Sequence, residues 1–138
     1  MKSYTTSDIM LLLDTSLLIA FFNDKDVFHS KAVEKFKEFE KQRRNLAISN
    51  YILNEAITVM LRRRNLQMSK QMLKFLLNYD KVEVFHVDEK GFFDIIEVFN
   101  NQKDTLSFVD CSIVWMAKKH GFAVATFDKN LEKEIYTK

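Results

Sequence analysis

The stretch from Ile9 to Phe22 reads IMLLLDTSLLIAFF and decides the fold. Asp14, Thr15 and Ser16 interrupt its apolar run, whereas a membrane span needs roughly 20 apolar residues in a row. No small-residue cleavage site follows it, so it does not read as a signal peptide. Ile9 to Leu13 instead suits a short central strand ending at an acid, and Ser16 is placed to cap a short helix through Phe22.

Working outward, Val27 to Arg44 carries apolar Val33, Phe36 and Phe39 among many Lys and Glu residues, the pattern of an amphipathic surface helix. Leu46 to Ile48 reads as a strand, and Ser49 or Asn50 caps a helix to about Arg64. Ser69 caps a helix through Asn78. Val82 to Val87 alternates as a strand, and Asp88 opens a helix to about Asn101. Ser107 opens a helix that ends at His120, with Gly121 suited to the left-handed residue that stops it. Phe122 to Thr126 is the fourth strand, and Asp128 caps a final short helix. Strands alternating with helices predict a parallel sheet covered on both faces. Right-handed crossovers bring the carboxyl ends of the strands to one edge, where Asp14 and Asp128 should both lie.

A chain of 138 residues reads as one domain, 1–138, and its 47% hydrophobic content favours folding over disorder. With no proline and two glycines it offers no linker, and no repeat or low-complexity tract is visible. Cys111 is alone, so no internal disulfide can form and a reducing cytoplasm fits best. A net charge of +2 neither argues for nor opposes a polyanionic partner.

Four acids stand out, each with a plainer alternative. Asp14 is either a turn or capping residue or a ligand projecting from a central strand. Glu55 lies at the edge of the apolar arc of Ile52, Ala56, Val59 and Met60, beside Val59, and alone reads as a solvated helix residue. Asp110 sits in a helix apolar almost all round, where an unpaired charge costs several kcal/mol, about 3–5; Ser107-x-x-Asp110 also matches a capping box. Asp128 alone reads as a helix cap, and Thr126 could support a neighbouring acid. Taken together, oxygen donors of this kind suit hard cations such as Mg²⁺ and Mn²⁺, and crowded carboxylates need a cation to offset their repulsion. Phosphodiester cleavage uses such sites to generate hydroxide and to hold the attacking and leaving oxygens.

The segments LLLDTSLLIAFF, SNYILNEAITVM, LSFVDCSIVWMAKKHG and VATFDKNL, in this order, resemble PIN domains, especially the VapC-type toxins of prokaryotic toxin–antitoxin pairs. The similarity runs from Met10 to about Leu131. It implies a three-layer α/β/α fold with a central, mainly parallel sheet of four or five strands. It also implies metal-dependent RNA hydrolysis, with one or two Mg²⁺ or Mn²⁺ ions per site. Asp14 and Asp110 would be direct ligands, Glu55 would ligate or position the attacking water, and Asp128 would complete the pocket. Ser16 and Ser107 match small polar residues near the family's site. The resemblance further implies a homodimer and silencing by an antitoxin peptide. In one respect the chain departs from it: PIN chains usually close with an apolar fifth strand, and Leu131 to Lys138 offers little of that. A PIN nuclease of RNA processing, or a non-catalytic binding module with a retained acidic pocket, remain the alternatives.

Arg62 shares a face with Glu55 and is the candidate for substrate phosphate; Lys41 to Arg44 reads as a solvated helix end. The phenylalanines recur mostly at core spacing. His29, His86 and His120 lack zinc spacing, Cys111 reads as a buried small hydrophobe, and no Ser-His-Asp set or Gly-rich phosphate loop is present. A receiver domain would need paired acids after the first strand, and a haloacid-type phosphatase would need Asp-x-Asp there; Asp14-Thr15-Ser16 supplies neither.

Overall fold

The computed structural model describes residues 9–136. Leu11–Leu13 (β1) and Leu46–Ser49 (β2) are buried throughout, because each is flanked by strands on both sides and helices on both faces. Val82–Phe85 (β3) lies at an edge and is partly exposed; Ala123–Ala125 (β4) forms the other edge. The order is β3-β2-β1-β4 and every pairing is parallel. The chain steps one way from β1 to β3, then jumps back past β1 to β4. With right-handed crossovers, this reversal puts the helices before β3 on one face and those between β3 and β4 on the other.

The first group is Thr15–Phe22 (α1), His29–Lys41 (α2), Asn50–Arg63 (α3) and Leu66–Asn78 (α4). Here α1 packs on α2 and α3, and α3 on α4. The second is Glu89–Asn101 (α5) and Phe108–His120 (α6), packed on each other, with Lys129–Tyr136 (α7) against α6. The result is the expected three-layer arrangement. Leu12, Leu13, Leu17, Leu18, Ile48, Ile52, Met60 and Ile113 are fully buried at its centre, and Cys111 is buried among them. No helix among the described residues is long and apolar enough to cross a membrane.

Several boundaries differ from expectation for local reasons. Asp14, rather than Ser16, caps α1. Asn65 caps α4 by accepting from the Met68 N–H, while Ser69 donates its hydroxyl to the Ile57 carbonyl at 2.7 Å. Helix α2 starts at His29 instead of Val27 and stops at Lys41, because Arg43 turns left-handed (φ 53°). The capping roles of Ser49, Asp88 and Ser107 and the left-handed Gly121 (φ 72°) are as expected. Phe36 is buried and seven phenylalanines pack half-buried against the core, but Phe28, Phe75, Phe92, Phe93 and Phe99 are exposed.

Among the described residues there is no fifth strand. Ala123 donates to Met10 and Ala125 accepts from Asp14, so their polar groups face β1 and those of Val124 face outward. The Tyr136 hydroxyl on α7 accepts from the Val124 N–H at 3.1 Å and lies 3.4 Å from its carbonyl. One tyrosine thus meets both outward groups of the central residue of this edge strand.

Candidate active site

The strand order reverses between β1 and β4, the kind of switch point at which open α/β sheets form a crevice at their carboxyl ends. Asp14 immediately follows β1, and Thr126, Phe127 and Asp128 follow β4. Helix α6 leads back towards the start of β4, so its N-terminal turn, with Asp110, comes to the same edge. Helix α3 leaves from the end of β2 and carries Glu55 in its second turn. A cavity of about 440 Å³ lies here, and Asp14, Glu55, Asp110 and Asp128 all line it.

Asp14 is 5% exposed and satisfied on both oxygens. Its Oδ1 accepts from the Thr15 N–H at 2.7 Å; its Oδ2 accepts from the hydroxyls of Ser16 at 2.9 Å and Thr126 at 2.7 Å. Those hydroxyls are fixed in turn: Ser16 Oγ accepts from the Phe127 N–H and Thr126 Oγ1 from the Asp128 N–H. Each hydroxyl proton is already directed at Asp14, so the 3.4 Å approach of Ser16 to Thr126 is contact rather than a further bond. Ser16 and Thr126 thus form a clamp on Asp14 that joins the ends of β1 and β4.

At Asp110 the capping box expected from the spacing forms, and it leaves the residue on the cavity wall. The capping box is present, with Asp110 N–H donating to Ser107 Oγ at 3.1 Å and Ser107 N–H to Asp110 Oδ2 at 3.3 Å. The same half-buried carboxylate also faces the cavity. Ser107 itself is exposed and acts on the cavity only through Asp110. Asp128 caps α7, its Oδ1 accepting from the Asn130 and Leu131 N–H groups. Arg62 is exposed and does not line the cavity; Arg63 does. Arginine side chains reach back towards the helix N-terminus, along the row Glu55, Val59, Arg63.

The electrostatics follow from burial and crowding. Burial raises the Asp14 carboxyl above its usual range, Glu55 adds repulsion, and the three hydrogen bonds from Thr126, Ser16 and Thr15 only partly offset this. Asp110 is raised chiefly by burial, then by the charges of Asp14 and Asp128, against the lowering effect of Ser107. Asp14 and Asp110 thus each feel the charge of neighbouring acids across the cavity. Among the described residues no group of three or more His, Cys, Asp or Glu side chains is placed to hold a metal ion. The donor set nonetheless fits a hard divalent cation, since Mg²⁺ commonly takes only one or two carboxylates and keeps several waters. Thr15 Oγ1, on the cavity wall, is buried without a protein partner and could bond such a water.

The wall also includes Asp26, Phe28 and Phe127, which sequence reasoning passed over. Phe127 lies inside the VATFDKNL segment, between two residues already singled out, and that adjacency was the one available signal. Residues 11–134 match the family described as PIN domain. The chain belongs to the PIN-domain family. Solved structures share the fold. VapC20 of Mycobacterium tuberculosis, a sarcin–ricin loop cleaving toxin, superposes with a TM-score of 0.77 at 23% identity, covering 88% of this PIN chain and 92% of that one. VapBC2 of Rickettsia felis, solved bound to a DNA fragment from its promoter, gives 0.70 at 15% identity, covering 91% and 92%. FitAcB of Neisseria gonorrhoeae gives 0.64 at 17% identity, covering 91% and 93%. No curated protein sequence matches this PIN domain.

Proposed function

We propose that this PIN domain is a metal-dependent endoribonuclease and the toxin of a type II toxin–antitoxin pair. The observation that carries the reading is the arrival of four acids, two from strand ends and two from helices, at one cavity on the sheet's switch point. Asp14 and Asp110 would hold Mg²⁺ or Mn²⁺, with Glu55 and Asp128 completing the pocket. A bound ion of this kind supplies hydroxide at neutral pH and offsets charge on the phosphodiester. The chain's own residues do the rest. Thr126 and Ser16 fix Asp14 in one orientation, and Ser107 fixes Asp110. Glu55, in the second turn of α3, has no ion-pair partner among the described residues and is suited to orient a water and take its proton. Arg63 is better placed than Arg62 to meet the substrate phosphate.

The toxin reading is supported by the likeness to VapC20 and VapBC2. Exposed Phe92, Phe93 and Phe99 leave an apolar face on α5 that suits a homodimer. A chain that stays monomeric in sedimentation at all concentrations would remove the dimer from this proposal. Purification with a small protein encoded beside it would identify the antitoxin; a neighbouring gene product that neither binds nor silences the chain would count against the toxin assignment.

The deciding experiment is cleavage of single-stranded RNA with Mn²⁺ or Mg²⁺, beside an EDTA control and Asp110→Asn. We expect cleavage that EDTA abolishes and that Asp110→Asn reduces at least ~100-fold, the loss typical of removing one preorganised electrostatic group. Cleavage that persists in EDTA, or in the variant at wild-type rate, would overturn the assignment.

A further inference from the structure

Phe28 and Phe127 stack at one wall of the acid cavity. Their ring centres are 5.0 Å apart and their planes 16° from parallel. Phe28 is 40% exposed and lies outside the hydrophobic core, so core burial does not account for its position. A lysine ammonium attends each ring: Lys31 Nζ is 5.7 Å from the centre of Phe28, and Lys35 Nζ is 6.0 Å from that of Phe127.

The backbone beneath the pair is held firmly. Asp26 Oδ1 accepts from the Phe28 N–H at 2.9 Å, and the His29 ring is 2.8 Å from the Ala20 carbonyl. Arg64, just past the end of α3, clasps the same loop through Asn23 and Asp24, at 2.6 and 2.7 Å. On the other side the Phe127 N–H donates to Ser16 Oγ, within the clamp on Asp14. An exposed, flat aromatic surface is therefore tied to the same hydrogen-bond network as the acids. Pre-ordered aromatics of this kind bind without a further ordering cost.

The chemistry narrows the occupant. Aromatic faces bind unpaired bases by stacking, and neighbouring cations meet the phosphates of the same strand. A duplex keeps its base faces inside its own stack and cannot use such a platform. We propose that Phe28, backed by Phe127, stacks on an unpaired base adjoining the phosphate in the acid cavity, while Lys31 and Lys35 meet flanking phosphates. This rests on the nuclease reading above and makes Phe28 a substrate-positioning residue of that site.

The test is equilibrium binding of a labelled single-stranded oligoribonucleotide in EDTA, beside a fully paired RNA of equal length. Phe28→Ala should weaken single-strand binding about 5- to 150-fold, the range of one lost base stack. Phe28→Tyr should restore it, Phe28→Leu should not, and the paired RNA should be indifferent to all three. Lys31→Ala and Lys35→Ala should each lower the slope of log affinity against log salt by about 0.7, one phosphate contact on a single strand. An unchanged melting temperature in the Phe28 variants, with and without Mn²⁺, shows that fold and acids are intact. Wild-type protein that fails to bind the single strand, Phe28→Ala affinity within twofold of wild type, or rescue by Leu equal to Tyr would each overturn the platform. RNA that binds through Phe28 but is never cleaved would sink the nuclease and leave the platform standing. Metal-dependent cleavage indifferent to Phe28→Ala would do the reverse.

Discussion

At Asp14 and Asp110 burial and like charge act against ionisation, and this gives the residues a pH signature. An acid whose folded-state pKa is raised binds its proton more tightly when folded. Between the ordinary value of 3.8 and the raised ones, the folded state holds more protons than the unfolded, so stability falls as pH rises through that window. Asp24 has the opposite sign: Arg64 holds it below 3.8, so its contribution is present above that value and fades as pH falls below it. Comparing wild type with Asp110→Asn isolates the first effect. In EDTA at neutral pH the variant should be the more stable, by about 1 kcal/mol, as when an active-site constraint is relieved. That advantage should shrink as pH falls towards 4 and Asp110 takes up its proton. Urea denaturation across pH reads this directly, and an advantage that is flat or grows on acidification would contradict it. Thr126→Val tests the clamp. Removing the hydroxyl takes one donor from buried Asp14 and one acceptor from the Asp128 N–H. The expected loss is about 1–3 kcal/mol in the same assay; a loss below about 0.5 kcal/mol, the level of an ordinary surface change, would mean that the network relaxes.

At the scale of elements, α6 shows what local spacing can specify. Ser107 and Asp110 close its N-terminus three residues apart, and Gly121 ends it at φ 72°. A Cβ at Gly121 would meet nothing within 4 Å, so Gly121→Ala should lose only the left-handed backbone preference, about 1 kcal/mol, and Gly121→Asn less. Equal stability of all three proteins would show that the chain leaves this helix in another way. Such signals were legible because donor and acceptor lie within one turn of each other. Others were not, for equally physical reasons. Asn65 and Ser69 are both good caps, and only the Ile57 carbonyl, brought over by packing of α3 on α4, takes Ser69 out of contention. Arg43 is left-handed with no glycine to announce it. Ser16 and Asp14 compete for one cap, and the outcome depends on β4 supplying Thr126 from the far end of the chain. Asp14, Asp110 and Asp128 were readable as strand-end and capping residues, and Glu55 only as a helix residue at the edge of an apolar arc. Phe28 and Phe127 were not, since a phenylalanine exposed on a loop has the same letter as one in the core, and the stack joins segments about a hundred residues apart.

At the scale of the molecule, the order β3-β2-β1-β4 turns local features into a site. Alternation of strands and helices foretold a parallel sheet, but not the reversal that sets β4 beside β1 and so joins Asp14 to Thr126. The same reversal leaves β4 as an edge, which α7 and Tyr136 cover in place of a fifth strand. The consequence is like charge gathered at Asp14 and Asp110, which a cation, on the proposed reading, should relieve. Binding to the folded state alone stabilises it by about 2.7 kcal/mol at 100 times Kd. For a chain of this length that corresponds to a rise in Tm of roughly 8–13 °C. Saturating Mn²⁺ should produce this rise in the wild type. Asp110→Asn should start from a higher Tm in EDTA and gain much less, so the order of the two proteins reverses as Mn²⁺ is added. A variant that is merely less well folded would start lower and stay lower. No shift in the wild type would argue that the acids do not share an ion. Equal increments in both proteins would assign the ion to a place where Asp110 plays no part.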